Sequence, residues 1–353
     1  MIPRLVIPPR LVMPHRLSLI WKRLQGLALP PLPGGTRLWV TLASTGFLLA
    51  ALLSHGSQLL QLSLDVQGWC WLLLGVGVTL LSLVMNGVAW GVGLHWLGHS
   101  PVWTAVVALY LSSNLRKYLP GGVWHLVERL RVLKAGSTAA LPALSDPLPT
   151  PQALVAVLLD PLLAAAAALA LVPFGGWQGG LALLCLLPLL LLLPRWLNPL
   201  MERLERQRAR QLAARGLLDS PESGASLELA EGSLRLRGYP WPPLLAELGF
   251  VLLRFAGFAC CVQAFDLSFA LGWGGWLAGF CLAWTAGLVV PGAPGGLGVF
   301  EAVLLLRLTA AVPEAPLLAV AISYRLVTAL AELIGAVTAR LDAQLEQEQA
   351  SRP

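Results

Sequence analysis

The chain has 353 residues, 57% of them hydrophobic and 12% charged, with a net charge of +6 and a mean hydropathy of +0.73. Soluble domains average roughly 25% charged residues, so these values exclude a soluble monomer and leave room for about eight spans of roughly 20 residues each. The positive charge does not indicate a nucleic-acid partner, because the cations gather in a few loops between apolar runs.

Residues 1–37 form a basic, Pro-rich N-terminal segment with six Lys or Arg, seven prolines and no acid. It lacks a continuous apolar core, which argues against a cleaved signal peptide. Its prolines and scarce serines argue against a transit peptide. Apolar stretches follow at 38–56, 69–94, 152–172, 178–194, 244–265, 269–290 and 317–339, with a shorter one at 297–312. They predict an all-α, polytopic integral membrane bundle of about eight transmembrane helices with added re-entrant or broken helices, over residues 38–340. Trp39, Trp69, Trp71, Trp96, Trp177, Trp196, Trp241, Trp273 and Trp276 fall at span ends, as indole rings at headgroup depth would.

Lys and Arg number six before the first span, five from Arg116 to Lys134 and eight in the loop 195–243. The loops 57–68, 173–177, 266–268 and 313–316 have none. By the positive-inside rule both termini, including the tail 341–353, are expected in the cytoplasm. Residues 101–119 are apolar but short, and a crossing there would spoil this alternation, so they read as a re-entrant or interfacial half-helix. The stretch 138–151 reads as a linker. Within the loop 195–243, Leu227–Leu229 and Leu234–Arg237 alternate like a small hairpin.

Two Pro-Gly-Gly breaks lie 174 residues apart, at Pro120-Gly121-Gly122 and Pro294-Gly295-Gly296, the second extended by Pro291, Gly292 and Gly298. Each is expected to expose a helix N-terminus, an anion-attracting end. Interrupted helices at corresponding places are a transporter pattern, although Pro and Gly can also serve as plain kinks. Beside the first break stand Asn114, Arg116, Lys117, Tyr118, Trp124, His125 and Arg129, a set that suits a phosphate site or equally a positive flank on anionic lipid. Near the second stand Glu301 and Arg307, and the last crossing holds Arg325 and Glu332. Glu332 lies seven residues from Arg325, as Arg254 does from Glu247, too far along the axis for direct pairing, so their partners belong on other helices. Snorkelling from a span end is the plainer reading for Glu247 and stays open for Arg254, Arg307 and Arg325. Asp160, before Pro161, has too short a side chain for that and is a site candidate.

The five cysteines sit in apolar runs and read as small core residues, with no disulfide framework. His95 and His99 share a helix face but read as interfacial rather than metal-binding. No P-loop, GxSxG, HExxH or CxxC occurs, so neither a cofactor nor an enzymatic activity is expected.

The stretches Ser113-Asn114-Leu115-Arg116-Lys117-Tyr118-Leu119-Pro120-Gly121-Gly122-Val123-Trp124 and Pro294-Gly295-Gly296-Leu297-Gly298-Val299-Phe300-Glu301, with Tyr324-Arg325, together resemble the flippase-like transmembrane domain of bacterial lysylphosphatidylglycerol synthases. The resemblance implies a helical bundle in a bacterial inner membrane, with a lipid-accessible cavity and translocation of an anionic or aminoacylated phospholipid, or a lipid-linked precursor. Carried over, Asn114, Lys117, Tyr118, Pro120, Gly121, Trp124, Pro294, Gly295, Gly296, Gly298, Glu301 and Arg325 become site residues.

Two departures matter. Few residues follow the last span, so the synthases' soluble aminoacyl-transferring domain is not expected, and Asp160-Pro161 stands where the resemblance implies an acidic-Arg pair. On this reading Lys117, Arg129 and the two helix N-termini hold the headgroup phosphate, while Glu301 and Arg325 line the cavity. Two alternatives remain: an enzyme acting on a lipid or isoprenoid phosphate with Asp160 or Glu301 as base, and a partner presenting lipid to a separate synthase or glycosyltransferase through the loop 195–243.

Overall fold

A computed structural model describes residues 64–118, 124–136, 143–176, 180–199, 238–268, 270–290 and 293–350. The first crossing at 38–56, the break at Pro120-Gly121-Gly122, Trp39, Trp177 and the hairpin expected at 227–237 lie outside them.

The described residues are helical, with no strand and one isolated bridge between Pro101 and Leu144. In chain order the helices are α1 (Val66–Trp96), α2 (Trp103–Asn114), α3 (Trp124–Ala135), α4 (Thr150–Leu171), α5 (Leu181–Leu191), α6 (Trp241–Ala264), α7 (Trp273–Val289), α8 (Val299–Leu308) and α9 (Glu314–Ala350). Short 3₁₀ turns follow α2 at Leu115–Tyr118, α4 at Val172–Gly175 and α7 at Pro294–Gly296.

Four helices, α1, α4 with its 3₁₀ extension, α6 and α9, are long and apolar enough to cross a bilayer, and α5 and α7 are shorter apolar helices. The 12 residues of α2 rise about 18 Å at 1.5 Å each, near half of a roughly 30 Å hydrocarbon core. Within the stretch 297–312, the shortest of the apolar runs, α8 has 10 residues and rises about 15 Å, near half of that core, starting after Gly298. The second break therefore opens into a half-helix.

Local chemistry sets the helix ends. Asp65 caps α1, its Oδ1 accepting from the Gly68 amide at 2.6 Å. Prolines occupy the first turns of α4 and α6, where a missing N–H costs nothing. Pro161, inside α4, removes one helical hydrogen bond directly after Asp160.

The most extensive interface joins α1 to α6. It is lined by small residues: a Cβ on Gly257 would lie 2.3 Å from the Thr79 hydroxyl, and one on Gly75 would lie 3.2 Å from the Cys260 Cβ. Lipid supplies no hydrophobic force between helices, so close backbone approach through small residues provides the contact energy. Trp69, Trp196, Trp241 and Trp273 are exposed, as rings at a membrane interface would be. Trp276 is not interfacial: it is fully buried, 6.1 Å from the Phe258 ring, in a cluster that also contains Phe280, Phe300 and Tyr324. This aromatic block ties α6, α7, α8 and α9 together. Cys185, Cys260, Cys261 and Cys281 are buried and free as expected, whereas Cys70 is exposed on the outer face of α1.

Candidate functional site

The second break borders a partly open cavity of about 370 Å³ enclosed by the helices. Its walls come from every long element: Asn86 from α1, Tyr110 and Asn114 from α2, Lys117 and Tyr118 from the following turn, His125 and Arg129 from α3, and Asp160 from α4. On the other side stand Arg254 from α6, Gly295 and Gly296 from the second break, and Tyr324 and Arg325 from α9. Three of the four tyrosines of the chain line it.

The second break packs against the turn that follows α2. Gly295 has φ of +60° and packs under Tyr118, so that a Cβ there would come within 2.7 Å of the tyrosine ring. Gly296, with φ of +71°, lies against Gly287 of α7, where a Cβ would meet the Gly287 Cα at 2.9 Å. Left-handed backbone and the absence of a side chain are both required at these positions.

Arg325 fastens the break. Its Nη1 and Nη2 donate to the Gly295 and Gly296 carbonyls, each at 2.7 Å, and its Nε donates to Glu301 Oε1 at 2.6 Å. Glu301 Oε2 accepts from the Gly298 amide at 2.7 Å. The N-terminus of α8, expected to be open to an anion, is thus occupied by the chain's own carboxylate in the manner of a capping box. Glu301 is buried and stands behind the cavity wall, not in it.

The remaining ions form two groups. Lys117 pairs with Glu332, and Arg254 Nη2 reaches the same Oε1 at 3.4 Å. Arg129 donates Nη1 to Asp160 Oδ2 at 3.3 Å and Nε to Ser113 at 3.2 Å, with its guanidinium 3.6 Å from the Tyr110 ring centre. The Tyr110 hydroxyl donates to the same Asp160 oxygen at 3.2 Å. The acidic-Arg pair absent from the sequence of α4 is therefore assembled in space, its arginine supplied by α3. Arg116 pairs with Glu128, holding the turn after α2 to α3.

Lys117 and Arg129, expected to hold a headgroup phosphate, are each engaged by a carboxylate. Arg129 and Arg254 both line the cavity, and Nη2 of Arg129 and Nε and Nη1 of Arg254 are buried and bond no protein group. Arg254 and Glu247 do not snorkel, being 5% and 1% exposed. Arg307 is exposed on α8, and Trp124 is 46% exposed and lines no part of the cavity. Pro120 and Gly121 lie outside the described residues, while Pro294 and Gly298 shape the second break. His95 is exposed, and among the described residues no three His, Cys, Asp or Glu side chains come together. The sequence offered no sign of Asn86 or Tyr110. Tyrosine is so scarce here that its presence in an apolar helix was the one available cue.

A multi-pass all-α membrane protein with a charged cavity beside an interrupted helix is the class that these features define. Within it, the chain belongs to the family described as the lysylphosphatidylglycerol synthase TM region, whose model matches residues 38–335. No curated protein matched the sequence. Family membership ties the chain to a function concerned with membrane lipid.

Proposed function

We propose that the chain moves an anionic or aminoacylated phospholipid, or a lipid-linked precursor, between the leaflets of a bacterial inner membrane, acting as a transporter and not as an enzyme. Both termini and the basic loops then face the cytoplasm. The observation that carries the reading is that Arg129 and Arg254 come to the wall of one cavity from different helices, each with guanidinium nitrogens that bond no protein group. Buried guanidinium donors left without acceptors are costly, and a phosphate oxygen is the acceptor whose charge and geometry suit them. Asn86 and Asn114, also on the wall, offer neutral hydrogen bonds to the remainder of a headgroup.

Arg254→Gln is the informative variant, because Glu332 keeps Lys117 as its partner and no carboxylate is orphaned. In proteoliposomes with fluorescent phosphatidylglycerol and external dithionite, the wild-type chain is expected to expose inner-leaflet label quickly. Arg254→Gln should slow this about tenfold or more, the loss expected from one charged hydrogen bond of roughly 1.5–3 kcal/mol. Equal rates in wild type, variant and protein-free vesicles would reject the assignment.

A further inference from the structure

Behind Asp160 lies a second, separate void of about 10 Å³, lined by Glu247 and otherwise by apolar side chains and glycine from α1, α4 and α6. Asp160 is the one described residue that lines both this void and the main cavity. The Asp160 and Glu247 side chains line this same small void, and both groups are more than nine-tenths buried. Asp160 Oδ1 and Glu247 Oε2 are buried without a hydrogen-bond partner. The charged and titratable groups facing the pair are Arg129 from α3 and Tyr110 from α2, both directed at Asp160 Oδ2. From α1 come only Ala89, Trp90 and Gly93, and the Trp90 N–H is already given to the Ala156 carbonyl at 3.1 Å.

Two carboxyl groups therefore share one guanidinium in an apolar surrounding. Two adjacent buried carboxylates with a single counter-ion repel each other and lack solvation, so the stable arrangement keeps a proton between them. We infer that Glu247 and Asp160 form a proton-binding site: Glu247 holds a proton and donates it as a hydrogen bond to Asp160, whose charge is matched by Arg129. The consequence for the cavity rests on the transport reading. When an anionic headgroup takes Arg129, Asp160 loses its counter-ion and takes one proton from water in the cavity. One proton then enters with one lipid anion, and the net charge of the site is conserved.

Two measurements on the full chain test this. In dodecyl maltoside, which has no ester carbonyl, infrared spectra at neutral pH should show a buried protonated-carboxyl band that shifts in D2O and is absent from Glu247→Gln. Adding short-chain phosphatidylglycerol in weak buffer with a pH-sensitive dye should cause uptake of about one proton per wild-type chain and none by Asp160→Asn. No such band in the wild type, or a band retained in Glu247→Gln, overturns the proton site whatever the lipid does. A wild-type chain that fails to bind the short-chain lipid overturns the transport reading, while the infrared result still decides the proton site. Lipid binding without proton uptake, or with equal uptake in Asp160→Asn, overturns the coupling.

Discussion

Arg325 uses Nε, Nη1 and Nη2 on three different acceptors, and this triple use fixes its role better than its place on the cavity wall does. A guanidinium spreads its donors over three nitrogens in a rigid plane and so spans two carbonyls and a carboxylate, whereas an ammonium offers its three from one nitrogen on a flexible stem. Removing it leaves Glu301 ionised and buried with only the Gly298 amide. Arg325→Ala is expected to cost about 3–5 kcal/mol, the usual result of orphaning one member of a buried pair, and to lower the melting temperature in detergent clearly. The double variant Glu301→Ala/Arg325→Ala should lose markedly less than the two single losses combined, because no charge is then stranded. Additive losses would show that the two side chains do not act as one clip. Glu301→Gln should also lower stability, since its amide can replace only one of the two acceptor roles.

Among the helices, the α1 to α6 contact depends on what is missing from Gly257. Gly257→Ala would drive a methyl group into the Thr79 hydroxyl at 2.3 Å and should cost about 1–3 kcal/mol as overpacking. Thr79→Ala removes that oxygen and leaves a Cβ contact of 3.4 Å, so the double variant should regain most of the loss, read as recovery of the thermal midpoint. A double variant no better than Gly257→Ala would place the strain elsewhere. These helices were legible in the sequence because an apolar run of spanning length is a local property, and α1, α4, α6 and α9 each contain one. The half-helix α8 was not, since 297–312 is apolar whether or not its backbone begins at Gly298. Trp276 misled for a related reason: an indole at a span end and one inside an aromatic block have the same sequence surroundings. The pairings were hidden altogether, because Lys117 meets Glu332 across 215 positions and Arg254 meets it across 78. Periodicity can say that Arg325 and Glu332 need partners on other helices, but only packing can say which.

For the molecule as a whole, the charges around the cavity do not balance. Lys117, Arg129, Arg254 and Arg325 line it, and the carboxylates that pair with them are Glu332, Asp160 and Glu301, with Glu247 neutral in the proton-bearing pair. The surplus positive charge falls on Arg254, which shares Glu332 with Lys117 and keeps two nitrogens unbonded to protein. In a cavity partly enclosed by the bundle, one uncompensated charge discriminates between headgroups more sharply than it would at a surface. Labelled phosphatidylglycerol should therefore cross faster than labelled phosphatidylcholine by about tenfold or more in the same vesicles, given roughly 1.5–3 kcal/mol per charged hydrogen bond. Arg254→Gln should bring the two rates together by slowing the anionic lipid selectively, because the zwitterion supplies its own cation for the phosphate. Equal rates for both headgroups in the wild type would mean that selection does not rest on this surplus charge, and a variant that kept the preference would place it on Arg129 instead.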